Sequence, residues 1–125
     1  MSGSKDFQKK REIKELIWKI KNEIEDLEIV SMGQEVGADK FVKTAALDLD
    51  IKYSEIIPYY KMWNQFCVDR KKFLFNKKYS TGLYFSAIKK FSDYCDSFVI
   101  FSIKGEKDYL KEICRKSEKK VIVMR

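Results

Sequence analysis

The chain has 125 residues, 45% of them apolar and 14% aromatic, with one proline and no histidine. That is enough apolar side chain for one domain with a modest core, and too much for general disorder. No apolar run approaches the roughly 20 residues that span a bilayer, and no signal-peptide pattern opens the chain, so no membrane association is expected. Net charge is +7 and uneven: residues 1–69 hold 11 Lys/Arg and 13 Asp/Glu, a balance of −2, while residues 70–125 hold 15 and 6, a balance of +9. A basic half suits a polyanion or an acidic protein partner, although solvated helix surfaces account for such charge equally well. Cys67, Cys95 and Cys114 are odd in number and widely spaced, which reads as reduced thiols in a cytoplasmic protein.

In chain order, residues 8–26 place Ile13, Leu16, Ile17, Ile20 and Ile24 at three-and-four spacing and predict an amphipathic helix. Residues 28–32 predict a short strand. A second helix follows from about Val36 to Asp48, with Phe41, Val42, Ala45 and Ala46 inward. Lys52 to Ile57 predicts a strand stopped by Pro58. Periodicity then fails from Pro58 to about Ser80, where aromatics and cations crowd together: Trp63, Phe66, Arg70, Lys71, Lys72, Phe73 and Phe75. Such a long irregular segment in a small domain is usually functional or an elaborated surface loop. A helix resumes at Ser80 with Leu83, Ala87, Ile88, Phe91 and Tyr94 as its inward stripe. Phe98 to Ser102 predicts a buried strand, Glu106 to Ser117 a helix, and Val121 to Met124 a closing strand. Strands alternating with helices predict a single α/β domain over residues 1–125, built on an open parallel sheet.

The stretch Leu27 to Asp39 carries the clearest chemical signal. A short apolar run meets Gly33, Gln34, Glu35, Gly37, Ala38 and Asp39, and a helical pattern follows at once. A strand turning on glycines into a helix aims backbone N–H groups and a helix N-terminus at one point, which suits an anion such as phosphate. Asp39 can serve there in two ways, as an acceptor for ligand hydroxyls or as an acid favoured by the helix dipole.

Taken together, these segments resemble the SLOG superfamily of Rossmann-like domains, most closely its YspA/YpsA-related branch. The run Gly33-Gln34-Glu35-Val36-Gly37-Ala38-Asp39 is similar to that branch's Gly-Gly-Ala-Arg-Gly-Ala-Asp turn, with Val36 where the family has arginine. Gly3-Ser4-Lys5-Asp6-Phe7 is similar to its first strand-to-helix turn. Pro58 with Trp63, Tyr94 to Ile100, and Lys119 to Val123 resemble later family segments in the right order. The resemblance implies a three-layer Rossmann-like sheet with a ligand pocket at the C-terminal strand ends. Ser2, Gly3, Ser4 and Lys5 form its first turn, and Gly33 to Asp39 its second.

The first turn begins at residue 2, so the first, central strand of that fold is expected to be missing or truncated. A central strand lost from a sheet leaves buried main-chain groups unpaired. Either the native chain starts upstream of Met1, or the sheet is rearranged, or another chain supplies the strand; the first of these is favoured.

Three functions follow as expectations. The first is binding of a nucleotide or nucleotide-derived ligand, for sensing or sequestration. The second is single-stranded nucleic-acid binding, with the cations of the basic C-terminal half beside Trp63, Phe66, Arg70, Lys71, Lys72, Phe73 and Phe75, whose rings can stack bases. The third is a ligand-free protein that binds a host or partner protein, and self-association is compatible with each. No zinc-ligand spacing, Walker loop or Pro-Gly-Gly-x-Gly-Thr motif occurs. A binding protein without catalytic residues, metal or cofactor is therefore expected over an enzyme.

Overall fold

The structure is a computed structural model and describes residues 1–58, 64–68, 81–102 and 109–124. The described elements are β1 (Ser2–Gly3), α1 (Lys10–Glu23), β2 (Glu28–Ser31), α2 (Ala38–Asp48), β3 (Lys52–Glu55), α3 (Thr81–Tyr94), β4 (Ser97–Phe101), α4 (Tyr109–Lys116) and β5 (Lys120–Met124). The chain is thus a mixed α/β protein, and every strand pairing among the described residues is parallel.

The spacing of apolar residues explains these elements. In α1, Ile13 and Ile17 point inward and are fully buried, while Arg11 and Glu15 pair on the outer face at 3.1 Å. The helix α2 starts two residues later than its apolar pattern predicts. Gly37, at φ +74°, holds a main-chain conformation outside the helical region and fixes the first helical residue at Ala38. Ala45 and Ala46 are buried and, lacking bulk, let α2 lie close on the strands.

Strands β4 and β5 pair with Phe98 opposite Val121, and β2 and β3 pair with Ile29 opposite Tyr53. Side chains alternate across each strand. Ile29, Val99 and Phe101 enter one core with Ile13, Ile17, Val42 and Ala46 of α1 and α2. Val30, Phe98 and Ile100 enter a second core with Ile88 and Phe91 of α3 and Cys114 of α4. The strands therefore lie between two helix pairs. Burying each large apolar side chain contributes about 2 kcal/mol before the entropy of ordering it. The three cysteines are all buried and form no disulfide.

β1 is two residues long. Ser2 and Gly3 pair with Ile100 and Phe101 of β4, and the Met1 amine donates to the Val30 carbonyl of β2 at 2.6 Å. β1 therefore lies between β2 and β4, but only at their C-terminal ends. Ladder pairing is split into a β1-β4-β5 group and a β2-β3 group. Of the segment expected to be an aromatic loop, Pro58 and residues 64–68 are described. Trp63, Arg70, Lys71, Lys72, Phe73 and Phe75 lie outside the described residues.

Candidate functional site

The turn between β2 and α2 is built on two glycines. Gly33 has φ +70°, and a Cβ there would run into Ile57 and lie 3.1 Å from the Glu55 carboxyl carbon. Gly37 packs so closely on the main chain of Lys5 that a Cβ would overlap it. This close approach locks the β2–α2 turn onto the turn that follows β1. Ala38 N–H donates to the Ser4 carbonyl at 3.1 Å, which takes up the first exposed donor of α2.

Asp39 completes the lock. Its Oδ1 accepts from Ser2 Oγ at 2.6 Å and Gly3 N–H at 3.3 Å, and its Oδ2 from Gln34 N–H at 3.1 Å. The residue is 1% exposed. Burial pushes its carboxyl up to about 6, while the donors of Ser2, Gln34 and Gly3 and the Met1 ammonium pull the other way. Both carboxylate oxygens are thus engaged inside the protein, and Asp39 acts as an internal clasp between the two turns.

Beside this clasp opens a cleft of about 660 Å³, within the size range of small-molecule sites. The turn forms one wall with Gly33, Gln34 and Glu35. A second is the outer face of α2, where Lys40, Lys43 and Thr44 fall on one side of the helix. The third is Glu55, at the C-terminal end of β3, with Asn64. The N–H groups of Glu35, Val36, Asp39 and Lys40 have no acceptor among the described residues.

Glu55 is 4% exposed and is held by its neighbours. Tyr53 Oη donates to Oε2 at 2.7 Å, and Asn64 Nδ2 donates to Oε1 at 2.9 Å. Because the Tyr53 proton goes to Glu55, the 2.6 Å contact between Tyr53 Oη and Ser31 Oγ is donated by Ser31. Gly33 N–H in turn donates to Ser31 Oγ at 3.1 Å. Four residues thus form one chain of hydrogen bonds ending on a carboxylate, each bond polarising the next. Burial, and then the Glu55 charge, push the Tyr53 phenol far above its usual value. The segment 64–68 seats Asn64 by pairing with β3: Glu55 N–H donates to the Phe66 carbonyl at 2.7 Å, and Val68 N–H to the Glu55 carbonyl at 2.9 Å.

The sequence-predicted residues divide between these two structures. Gly33, Gln34 and Glu35 line the cleft. Ser2, Gly3, Ser4, Gly37, Ala38 and Asp39 belong to the clasp, and Lys5 is exposed. Phe66, from the aromatic group, packs edge-on against Tyr53 with ring centroids 5.4 Å apart, and Lys43 Nζ sits 4.8 Å from its ring centre. Lys119, in the basic half, caps the end of α3 by donating to the carbonyls of Ser92, Asp93 and Cys95 at 2.7–3.2 Å. Sequence reading missed Lys40, Lys43, Thr44, Glu55 and Asn64. The three α2 residues carry a signal, since their spacing sets them opposite the apolar stripe. Glu55 and Asn64 meet only through tertiary structure.

No family model, no curated protein and no solved structure matches the chain.

Proposed function

We propose that the cleft between the β2–α2 turn and Glu55 binds a nucleotide or nucleotide-derived ligand, in a Rossmann-like domain of SLOG type. What carries this reading is the separation of charge inside one cleft. Lys40 and Lys43 line the cleft from α2, near the helix N-terminus, and Glu55 lines it from the end of β3 with Asn64. An anionic group is favoured by the lysines and the helix end. A carboxylate is an acceptor and favours ligand hydroxyl or amino donors. A nucleotide joins both kinds of group at a span suited to such a cleft, whereas inorganic phosphate satisfies the lysine wall alone.

The ligand is bound without turnover in this reading, in a cytoplasmic setting. The alternatives of single-stranded nucleic acid and of a host or partner protein draw on the aromatic segment, whose one described ring, Phe66, is packed against Tyr53. Thermal melting with millimolar AMP, ADP-ribose and inorganic phosphate tests the proposal, because binding to the native state raises the midpoint. A rise with AMP or ADP-ribose that Lys40→Ala/Lys43→Ala abolishes supports it. No rise with either ligand contradicts it.

A further inference from the structure

β5 forms an edge of the sheet, with β4 on its inner side. In a parallel ladder each residue turns its N–H and C=O to the same side, and successive residues alternate. The Met124 carbonyl accepts from Ser102 N–H, just past β4, at 2.8 Å, so Met124, Ile122 and Lys120 turn their main chains inward. Val121 and Val123 therefore turn theirs outward, where they have no partner among the described residues. The side chains along this edge are apolar. Val121, Val123 and Met124 are half-buried, and Ile122, paired with Val99 of β4, is 39% exposed. Native proteins guard a free edge with charge, proline or a bulge, because an unguarded one is a template for a further strand. β5 carries only Lys120, at its first position.

The outer side of β3 differs. There the segment 64–68 already takes up Glu55, through the bonds from Glu55 N–H to the Phe66 carbonyl and from Val68 N–H to the Glu55 carbonyl. Stacking β5 of one molecule on β3 of the next would have to displace that segment. Pairing of β5 with itself displaces nothing described, and it closes on a two-fold axis instead of growing into a fibre.

We infer that two copies of this chain associate through β5, antiparallel about a two-fold axis at Ile122. In that register Val121 of one copy faces Val123 of the other and exchanges both hydrogen bonds with it. Every outward main-chain group of both strands is then satisfied. Moving the axis to Val121 or Val123 sets one valine of each copy opposite a residue outside β5. Ile122 meets Ile122 of the other copy at a non-hydrogen-bonded position, where facing side chains lie closest. The two Lys120 ammonium groups are held at opposite ends. Charge on the neighbouring helix fits the same axis. α4 packs on β5 and, as the crossover between two parallel strands, runs against it. Exposed Glu112 lies in its first turn, and exposed Arg115 and Lys116 lie in its last. The axis sets the α4 helices of the two copies in opposite directions, the first turn of one level with the last turn of the other. Acid then lies level with base at both ends, and the helix dipoles oppose.

Sedimentation equilibrium of the 125-residue chain tests this. A concentration-dependent dimer is expected, with amide exchange at Val121 and Val123 slowing about tenfold or more as it forms. Ile122→Lys sets like charges together on the axis and is expected to weaken the dimer at least about tenfold. Its circular dichroism should match that of the parent monomer, because residue 122 is exposed. Ile122→Cys gives a check independent of that variant. Facing residues of a non-hydrogen-bonded pair lie within disulfide reach, so mild oxidation should link Ile122→Cys into dimers far faster than Lys120→Cys. Four results each overturn the inference: a parent chain that is monomeric at every concentration, assemblies that grow beyond a dimer, a dimer unaffected by Ile122→Lys, or equal cross-linking from the two cysteine variants.

Discussion

Ser2 Oγ donates to Asp39 Oδ1 at 2.6 Å, across 37 positions of sequence and in a site where both residues are about 1% exposed. This one bond ties the turn after β1 to the start of α2, and so sets the wall from which the candidate cleft is built. Removing the donor leaves a buried carboxylate short of a partner. Ser2→Ala is expected to cost about 1–3 kcal/mol, read as a lower midpoint in urea unfolding with an unchanged m-value.

The same clasp makes a pH prediction. Burial holds the Asp39 carboxyl up at about 6 in the folded chain, above its ordinary 3.8, so between these values the folded state holds more protons than the unfolded one. Stability from this group is then fully present below about pH 4 and lost as pH rises through about 6, by up to about 3 kcal/mol. In Asp39→Asn this titration is gone. The stability difference between the parent chain and the variant should therefore shrink from pH 4 to pH 6.5, since titrations common to both cancel. Urea midpoints measured across that range check the sign, and a difference independent of pH contradicts it.

Gly37→Ala places a methyl group against the Lys5 main chain at a residue with φ +74° and ψ −145°, a region open essentially to glycine alone. Neither the Lys5 backbone nor the helix start can move without breaking the Ala38–Ser4 bond. The expected cost is about 3 kcal/mol or more, seen as loss of cooperative thermal unfolding or a fall of many degrees in midpoint.

Tyr53→Phe removes the middle of the chain that runs from Ser31 to Glu55. Ser31 Oγ and Glu55 Oε2 then lose their partners at 2.6 and 2.7 Å. The cost is expected at about 1–3 kcal/mol, and among the described residues the Glu55 carboxylate is then held by Asn64 alone. Chemical unfolding measures the first effect. Weaker discrimination between AMP and inorganic phosphate measures the second.

Much of this fold was legible in sequence because it rests on local patterns. The three-and-four spacing in α1 and the apolar run at Phe98–Phe101 report burial directly, and helix–strand alternation implies parallel pairing. The glycines at 33 and 37 marked the turn, since a strand that reverses this sharply into a helix needs residues tolerant of positive φ. The role of Asp39 was not legible. A first-turn acid looks the same in sequence whether it faces ligand or interior, and only its long-range contact with Ser2 decides the matter. Glu55 and Asn64 were hidden for a related reason: a glutamate that ends a four-residue strand reads as an exposed edge charge until the 64–68 segment is seen to cover it.

The cleft lined by Lys40, Lys43 and Glu55 is proposed to recognise a ligand carrying both an anion and hydrogen-bond donors. Isothermal titration of AMP against the parent chain, Lys40→Ala/Lys43→Ala and Glu55→Gln tests it most directly. Measurable AMP binding to the parent chain is expected, with a loss of tenfold or more in affinity in each variant and weaker binding of inorganic phosphate throughout. AMP binding that is unchanged in both variants, or absent from a folded parent chain, would contradict it.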